Sequence, residues 1–419
     1  MAYSAKWRRR DSGIVLFKAS PASLPSGSTF TRSTTATYVD TNGVYQTAGA
    51  NALRSGHYIG GVQTILLEGS RTNSVLWSRD LTNAAWTSGG TGTTTQNAVG
   101  LDGTANSATT LTDSDAAASR FNQQTLTVPV DSNTHTTSYW VKKDTDTTRF
   151  PLLYSRINGG TQVSRSVMLN TQTGAATVSD VVGTGTTRVV DGGLWWIVEI
   201  TLTNNSTALN TNLATTVYPA YGTVLGTPSV AATGSCVVGQ VQVELNSPFY
   251  SSPIFTTTAA VNRGADLLYL PISFTPQALT IYAKVINLGT FATTAAQRVF
   301  QIGSNSAGSF NVKAGASNTV VPEVNNGGFV SGVGVGSVQL SDVLETKSTL
   351  TPAGVWGLTA TVNNGTESAQ TTAAYGSMPA TFSTPVIYVG SDGATSGFAA
   401  FQSVKIAAGI QPLATMRTL

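Results

Sequence analysis

Short runs in which apolar and polar residues alternate recur along the chain, separated by clusters of Gly, Asn, Asp, Ser and Pro. "TTSYWVKK" at 136–143, "RSVMLNTQTG" at 165–174, "LWWIVEITLT" at 194–203 and "CVVGQVQVEL" at 236–245 carry the pattern most clearly. Side chains of a strand point to its two faces in turn, so a period of two bounded by turn residues predicts half-buried strands. A second series follows residue 265: "ALTIYAKVI" at 278–286, "RVFQIG" at 298–303, "SFNVKAG" at 309–315, "VWGLTATVNNG" at 355–365, "PVIYVGSDG" at 385–393 and "FAAFQSVKIAAG" at 398–409. A helix is suggested only by the tail "QPLATMRTL", a turn or two long.

Turn chemistry divides these runs. Asn42-Gly43 lies between "TYVD" and "VYQTA", the spacing of a hairpin, and Asn364-Gly365 predicts a second tight turn. At 419 residues the chain exceeds the roughly 250–300 at which single cores stop growing. The expected fold is all-β: two β-sandwich (jelly-roll) domains in tandem after an N-terminal arm and a hairpin region. The boundaries predicted are an arm at 1–25, a hairpin and joint region at 26–75, a first sandwich at 76–264 and a second at 265–419.

Composition narrows the functions open to such a chain. Only 10% of residues are charged, with 23 Lys plus Arg and 20 Asp plus Glu, too sparse to neutralise a nucleic-acid backbone. Lys6, Arg8, Arg9, Arg10 and Lys18 nevertheless fall in the first twenty residues against a single Asp11. With Trp7, the "KWRRR" stretch is either a solvated tail or an anchor for an acidic partner surface. The single Cys236 excludes an internal disulfide framework and reads as a small buried strand residue. "GIVLF" is too short for an export signal, and no run approaches the ~20 apolar residues of a membrane helix. The chain is therefore expected to be made in a cytoplasm, without membrane insertion. No phosphate-binding loop precedes a helix, and His57 and His135 lack ligand partners at metal spacing.

Taken together, "FTRSTTATYVDTNGVYQTAGANALR" at 30–54, "ILLEGSRTNSVLWSRDLTNAAW" at 65–86, "SYWVKK" at 138–143, "LWWIVEITLT" at 194–203 and "GQVQVELNSPFYSSPIFTTTAAVNRGADLL" at 239–268 resemble a modular class of tailed-phage virion proteins, the tail or receptor-binding proteins. The resemblance covers about residues 28–270, and the ordered set of motifs is more specific than any one of them. It implies a first sandwich like a carbohydrate-binding-module jelly roll and a second, over 271–419, like a laminin G or concanavalin A-like sandwich. It also makes "LLEGSRTN" the joint between the hairpin region and the first sandwich. There Arg71 could span back to Glu68 or reach a carbonyl, and Asn73 could close an Asx-type turn.

The chemistry such a protein would need is a glycan platform or a pair of catalytic carboxylates. Asp113 with Asp115 and Asp144 with Asp146 are i, i+2 pairs that would share a strand face, but both sit in turn-like sequence. Turn struts, or at most a weak calcium site, are the expected roles, with no other cofactor. Sugar-stacking candidates are Trp86, Tyr154, Tyr218, Tyr221, Trp356 and Tyr375, whereas at least two of Trp140, Trp195 and Trp196 are expected in the core. The leading expectation is a non-enzymatic virion component (tail fibre, tail tip or head appendage) that attaches to host-surface polysaccharide. It would be anchored to other virion proteins by Lys6, Trp7, Arg8, Arg9 and Arg10, assembled as a homotrimer and released by lysis. A purely structural capsid-decoration or fibre protein, and a polysaccharide depolymerase, are the alternatives.

Overall fold

The structure, a computed structural model, describes residues 14–18, 24, 26–205, 209–271, 279–288, 298–303, 309–314, 319–325, 329–335, 338–339, 342–351, 355–374, 386–390, 399–408 and 413–418. The arm residues Lys6, Trp7, Arg8, Arg9 and Arg10 and the candidate Tyr375 lie outside the described residues.

Strands account for nearly all of the regular structure. The first are β1 Ile14–Lys18, β2 Thr29–Thr31, β3 Ala36–Val39, β4 Tyr45–Ala48, β5 Arg54–Ile59, β6 Val62–Leu67 and β7 Arg71–Asn73. Next come β8 Thr87–Gly89, β9 Gly92–Ala98, β10 Ala108–Asp113, β11 Phe121–Thr127, β12 Thr134–Lys142, β13 Phe150–Asn158, β14 Val163–Leu169, β15 Ala176–Val182, β16 Gly185–Asp191, β17 Trp195–Thr203, β18 Asn212–Gly222, β19 Gly234–Glu244 and β20 Val261–Arg263. The remainder are β21 Leu267–Pro271, β22 Leu279–Asn287, β23 Arg298–Ile302, β24 Ser309–Ala314, β25 Val320–Asn325, β26 Phe329–Ser331, β27 Val343–Leu350, β28 Val355–Val362, β29 Thr371–Ala374, β30 Val386–Val389 and β31 Ala399–Ala408. A single short helix, α1 Leu413–Thr418, closes the described residues, and none there is long and apolar enough to cross a membrane.

Two all-β units form, but they do not follow one another along the chain. One unit comprises 1–33, 50–69 and 265–419; the other comprises 34–49 and 70–264. The units divide at 264/265, and the hairpin and joint region expected at 26–75 is shared between them. Its strands β5 and β6 complete the C-terminal sandwich: Ile65, Leu66 and Leu67 pair with Phe401, Ala400 and Ala399 of β31, and β2 pairs with β21. The physical reason lies in "TILL", which is buried along its whole length from Thr64 to Leu67. An isolated two-stranded hairpin is marginal in water, so such a run must join a larger sheet.

In the unit that carries the C-terminus, one sheet runs β29-β28-β27-β22-β31-β6-β5, with β1 beside β31, and the other runs β2-β21-β30-β23-β24-β25-β26. Ile65, Ile281, Val285, Phe401 and Val404 of the first meet Leu270, Phe300, Ile302, Phe310 and Val389 of the second in one core. Glu68 leaves this core still fully buried, and its partner is Arg54, with Arg54 also paired to Asp266. Arg32 reaches the same Asp266 at 2.8 Å, and the Glu68 N–H donates to Asp266 Oδ2 at 2.8 Å. Two guanidinium and two carboxylate groups thus neutralise one another out of water. Burial would lower the Arg54 pKa, and the two carboxylates more than reverse this.

The other unit is a sandwich of two six-stranded sheets, β16-β17-β12-β19-β10-β9 and β15-β14-β13-β18-β11-β8. Leu111, Tyr139, Val198, Ile200, Val241 and Val243 of the first pack on Leu153, Ile157, Val167, Leu169, Leu213 and Val217 of the second. The predicted hairpin forms as β3–β4, with Asp40 Oδ1 accepting the Asn42 and Val44 N–H groups and Gly43 at φ +76°, a conformation suited to glycine. It lies against the outer face of the β12 sheet, where Tyr45, Trp140, Trp195, Ile197 and Leu101 form a second core. Trp140 and Trp195 are buried, as expected, and Cys236 is a buried strand residue whose thiol burial pushes up to about 12.

The joint residues separate at the crossing between the units, which falls between Gly69 and Ser70. Arg71 does not span to Glu68; its Nη1 donates to the Ser70 carbonyl at 2.9 Å, and its guanidinium lies 5.2 Å from the Phe249 ring centroid. Asn73 is buried and closes the Asx-type turn, its Oδ1 accepting the Val75 N–H at 3.1 Å while Nδ2 donates to the Ile254 carbonyl. Here β7 lies antiparallel to β20, so the strand entering this unit is paired with the one leaving it.

Candidate functional site

Three of the six aromatic candidates meet on one surface. It is the outer face of the sheet β15-β14-β13-β18-β11-β8, opposite the core-facing side. On β13 the alternation sends Leu153, Ser155 and Ile157 inward and Leu152, Tyr154 and Arg156 outward. Inward Ser155 is a polar exception with a partner, since its hydroxyl lies 2.9 Å from that of Thr137 across the sandwich. On β18, Leu213, Thr215 and Val217 face inward and Ala214, Thr216 and Tyr218 outward.

A break in register then adds a third tyrosine. Leu152 pairs with Tyr218 but Phe150 pairs with Gly222, so β18 carries two more residues than β13 over that step. Such a bulge lets Tyr221, three positions on, return to the face of Tyr218. Pro219 sits in the irregular step, where its missing N–H removes no ladder bond. The rings of Tyr218 and Tyr221 stand 4.9 Å apart at 61°, and Phe121 of β11 lies 5.6 Å from Tyr218. Phe150, Leu152 and Met168 form the buried floor beneath Tyr154, Tyr218, Tyr221 and Leu225. All three tyrosines are half-buried, supported from below and open above.

The core holds this face in place. Tyr139 of the opposite sheet donates its hydroxyl to the Tyr154 carbonyl at 2.7 Å and accepts the Thr215 hydroxyl at 2.8 Å, tying β13 and β18 together under the tyrosines. Polar side chains line the same surface. Thr216 donates to Gln123 Oε1 at 3.1 Å, Gln162 Nε2 donates to Ser164 at 3.0 Å and to the Tyr154 hydroxyl at 3.4 Å, and Ser166 and Ser179 hydroxyls lie 2.8 Å apart. Arg156 places its guanidinium 5.9 Å from the Tyr154 ring centroid. Burial, reinforced by the Asp180 carboxylate, pushes the Tyr154 phenol up to about 12, and Arg156 acts in the opposite sense. The Tyr218 phenol is raised by burial and by Tyr221, again against Arg156.

The remaining aromatic candidates belong elsewhere. Trp86 is buried in the core of this sandwich, its indole N–H on the Trp77 carbonyl at 3.2 Å. Trp356 is fully buried in the other unit, between Phe300 and Phe310, with its N–H on the Asn311 carbonyl. Neither is a platform, because each indole satisfies its donor internally and buries its faces. The carboxylate pairs are turn struts: Asp113 accepts the N–H groups of Asp115 and Arg120, and Asp144 accepts the Asp146 N–H and the Thr171 hydroxyl and pairs with Arg149. Phe121, Gln123, Arg156 and Gln162 complete the face without having been singled out in the sequence. Arg156 was within reach of sequence reasoning, standing two residues after Tyr154 and hence on the same side of a strand.

No protein-family model matches the chain, and no curated protein matches it. Among solved structures, domains LG4-5 of the mouse laminin alpha1 chain are similar at 11% identity and a TM-score of 0.24, covering 83% of this chain and 96% of that one. A likeness of that degree carries no argument about ligand or activity.

Proposed function

We propose that the chain is a non-enzymatic glycan-binding protein whose site is the tyrosine face of β13 and β18, and that it serves as a host-attachment component of a tailed-phage virion. The observation that carries the glycan reading is the gathering of Tyr154, Tyr218 and Tyr221 on one half-open sheet face. Aromatic surface removed from water by the apolar faces of sugar rings supplies affinity, while a few placed polar groups select among hydroxyls. Gln123, Gln162, Thr216 and Arg156 are such groups. The use of Asp113 and Asp144 as loop struts supports the non-enzymatic reading.

The virion role rests on the motif resemblance over residues 28–270. In this reading Lys6, Trp7, Arg8, Arg9 and Arg10 fasten the protein to other virion proteins, and a homotrimer multiplies a weak single-site affinity by avidity. Affinity electrophoresis of the full chain through gels containing purified host-surface polysaccharides tests the site. Retardation by at least one polysaccharide, lost in Tyr154→Ala/Tyr218→Ala, is expected. A chain that no polysaccharide retards, or a double variant retarded like the parent, would overturn it.

A further inference from the structure

We infer that the tyrosine face takes an acidic glycan, one bearing carboxylates, and that Arg156 is the residue that reads the acid. The inference rests on the glycan reading of this face and narrows it to a substrate class.

The starting point is an arginine without a counter-charge. Arg156 points outward from the middle of β13, and among the described residues it makes no hydrogen bond or ion pair. Its Nε is buried without a hydrogen-bond partner, as are those of Arg149 and Arg188; what sets Arg156 apart is that the rest of its guanidinium has no acceptor either. The other buried or half-buried arginines of the same unit behave differently. Arg149 pairs with Asp144, Arg188 with Glu199 and Arg79 with Asp102, and Arg165 donates to the carbonyls of Ser164, Val182 and Gly183. A sandwich that otherwise supplies its guanidinium groups with acceptors leaves this one open, on the one face where aromatic rings also gather. A half-buried guanidinium with no acceptor calls for an explanation, and an acceptor brought by a ligand is one.

Position adds to this. Arg156 lies opposite Ala214 on β18 and Ser164 on β14, so its neighbours across the sheet are small and leave room for a group seated against the guanidinium. Its guanidinium lies 5.9 Å from the Tyr154 ring centroid, beside the stacking surface. A sugar ring resting on Tyr154 and Tyr218 would present a ring substituent to Arg156. Asp180, the carboxylate whose charge reaches Tyr154, stands on β15 beyond β14, and no ion pair joins it to Arg156 among the described residues. An anion approaching from the β18 side therefore meets the guanidinium first. A planar guanidinium matches a carboxylate with two parallel N–H bonds, a geometry that a lysine cannot reproduce.

The test is an array of bacterial polysaccharides in which uronate-containing and sialylated polymers are each printed beside their carboxyl-reduced forms, together with neutral glucans, galactans and mannans. It is probed with the full chain and with Arg156→Gln, Arg156→Lys and Tyr218→Ala. The expected result is retention on at least one acidic polymer, weakened tenfold or more both by carboxyl reduction and by Arg156→Gln, with Arg156→Lys intermediate and more sensitive to added salt. Retention on neutral polymers that Arg156→Gln does not change overturns the acidic class and leaves the glycan face standing, provided Tyr218→Ala abolishes it. A dependence on the carboxyl group that survives Arg156→Gln overturns the assignment to this residue. Retention on no polymer overturns the glycan reading, and this inference with it.

Discussion

The two sheets of the 34–49 and 70–264 unit share a core but differ on their outer faces. On the β12 sheet the outward aromatics Trp140 and Trp195 are buried beneath Tyr45 of the β3–β4 hairpin and beside Tyr250, whose ring lies 5.9 Å from Trp140. On the β13 sheet the outward aromatics Tyr154, Tyr218 and Tyr221 rest on a buried floor and stay half-open. Both faces are built by the same period of two, from strands of similar length. What separates core from candidate site is thus whether another stretch of chain arrives to cover the face. The indole N–H of Trp140 finds its acceptor in that covering layer, at the Tyr45 hydroxyl 3.1 Å away. On the open face the Tyr154 hydroxyl accepts from Gln162 Nε2, a neighbour on the same face, at 3.4 Å.

The largest effect that would break this contrast is expected from Trp140→Ala. Truncating a fully buried Trp leaves a cavity and removes its packing, at a cost of about 3–5 kcal/mol. Tyr218→Ala, on the open face, should cost about 1 kcal/mol or less while abolishing glycan retention. Urea denaturation of both variants measures the difference. Equal losses of stability would mean that the two faces are equally structural, and the site would lose its main support. A smaller effect sharpens the role of the cover: Tyr45→Phe removes the acceptor of the Trp140 N–H without removing the ring. An orphaned buried donor costs about 1–3 kcal/mol, so a variant as stable as the parent would show that the hairpin covers Trp140 without bonding to it.

The same contrast explains what the sequence could and could not reveal. Alternation was enough to place β12, β14, β17 and β19, and Asn42-Gly43 to place the hairpin turn. It did not single out β13 or β18, the strands that carry the site. Pro151 and Pro219 interrupt them, and Ser155 and Thr215 occupy inward positions where an apolar residue would have made the period plain. The tyrosines were recognised as candidates, but so were Trp86 and Trp356, because burial of an aromatic depends on segments far away in sequence. Tyr45 covers Trp140 from 95 residues away. The partner of Glu68 was hidden as well: Arg71 stands three positions on, whereas Arg54 lies 14 residues back and is held there by Asp266, 212 residues from it. The nested order of the two units was hidden for the same reason: nothing local in "VQTILL" says which sheet it will extend.

The smallest predicted effect concerns the open face alone and asks how far its tyrosines are embedded. The Tyr154 phenol is pushed up to about 12 by burial and by Asp180. A raised pKa in the folded state means that the fold favours the neutral phenol. Its contribution to stability is therefore complete below the ordinary tyrosine value near 10 and declines as pH rises from there toward 12. At pH 11 an ordinary phenol is about nine-tenths ionised, whereas one at 12 is about one-tenth ionised. The phenolate absorbance of the folded chain at pH 11 should then scarcely change in Tyr154→Phe, provided circular dichroism shows both proteins still folded. Loss of most of one phenolate equivalent would mean that Tyr154 titrates as a free side chain. It would then stand in solvent and not on the floor of Leu152 and Met168, and the rigid platform that distinguishes this face from the covered one would be gone.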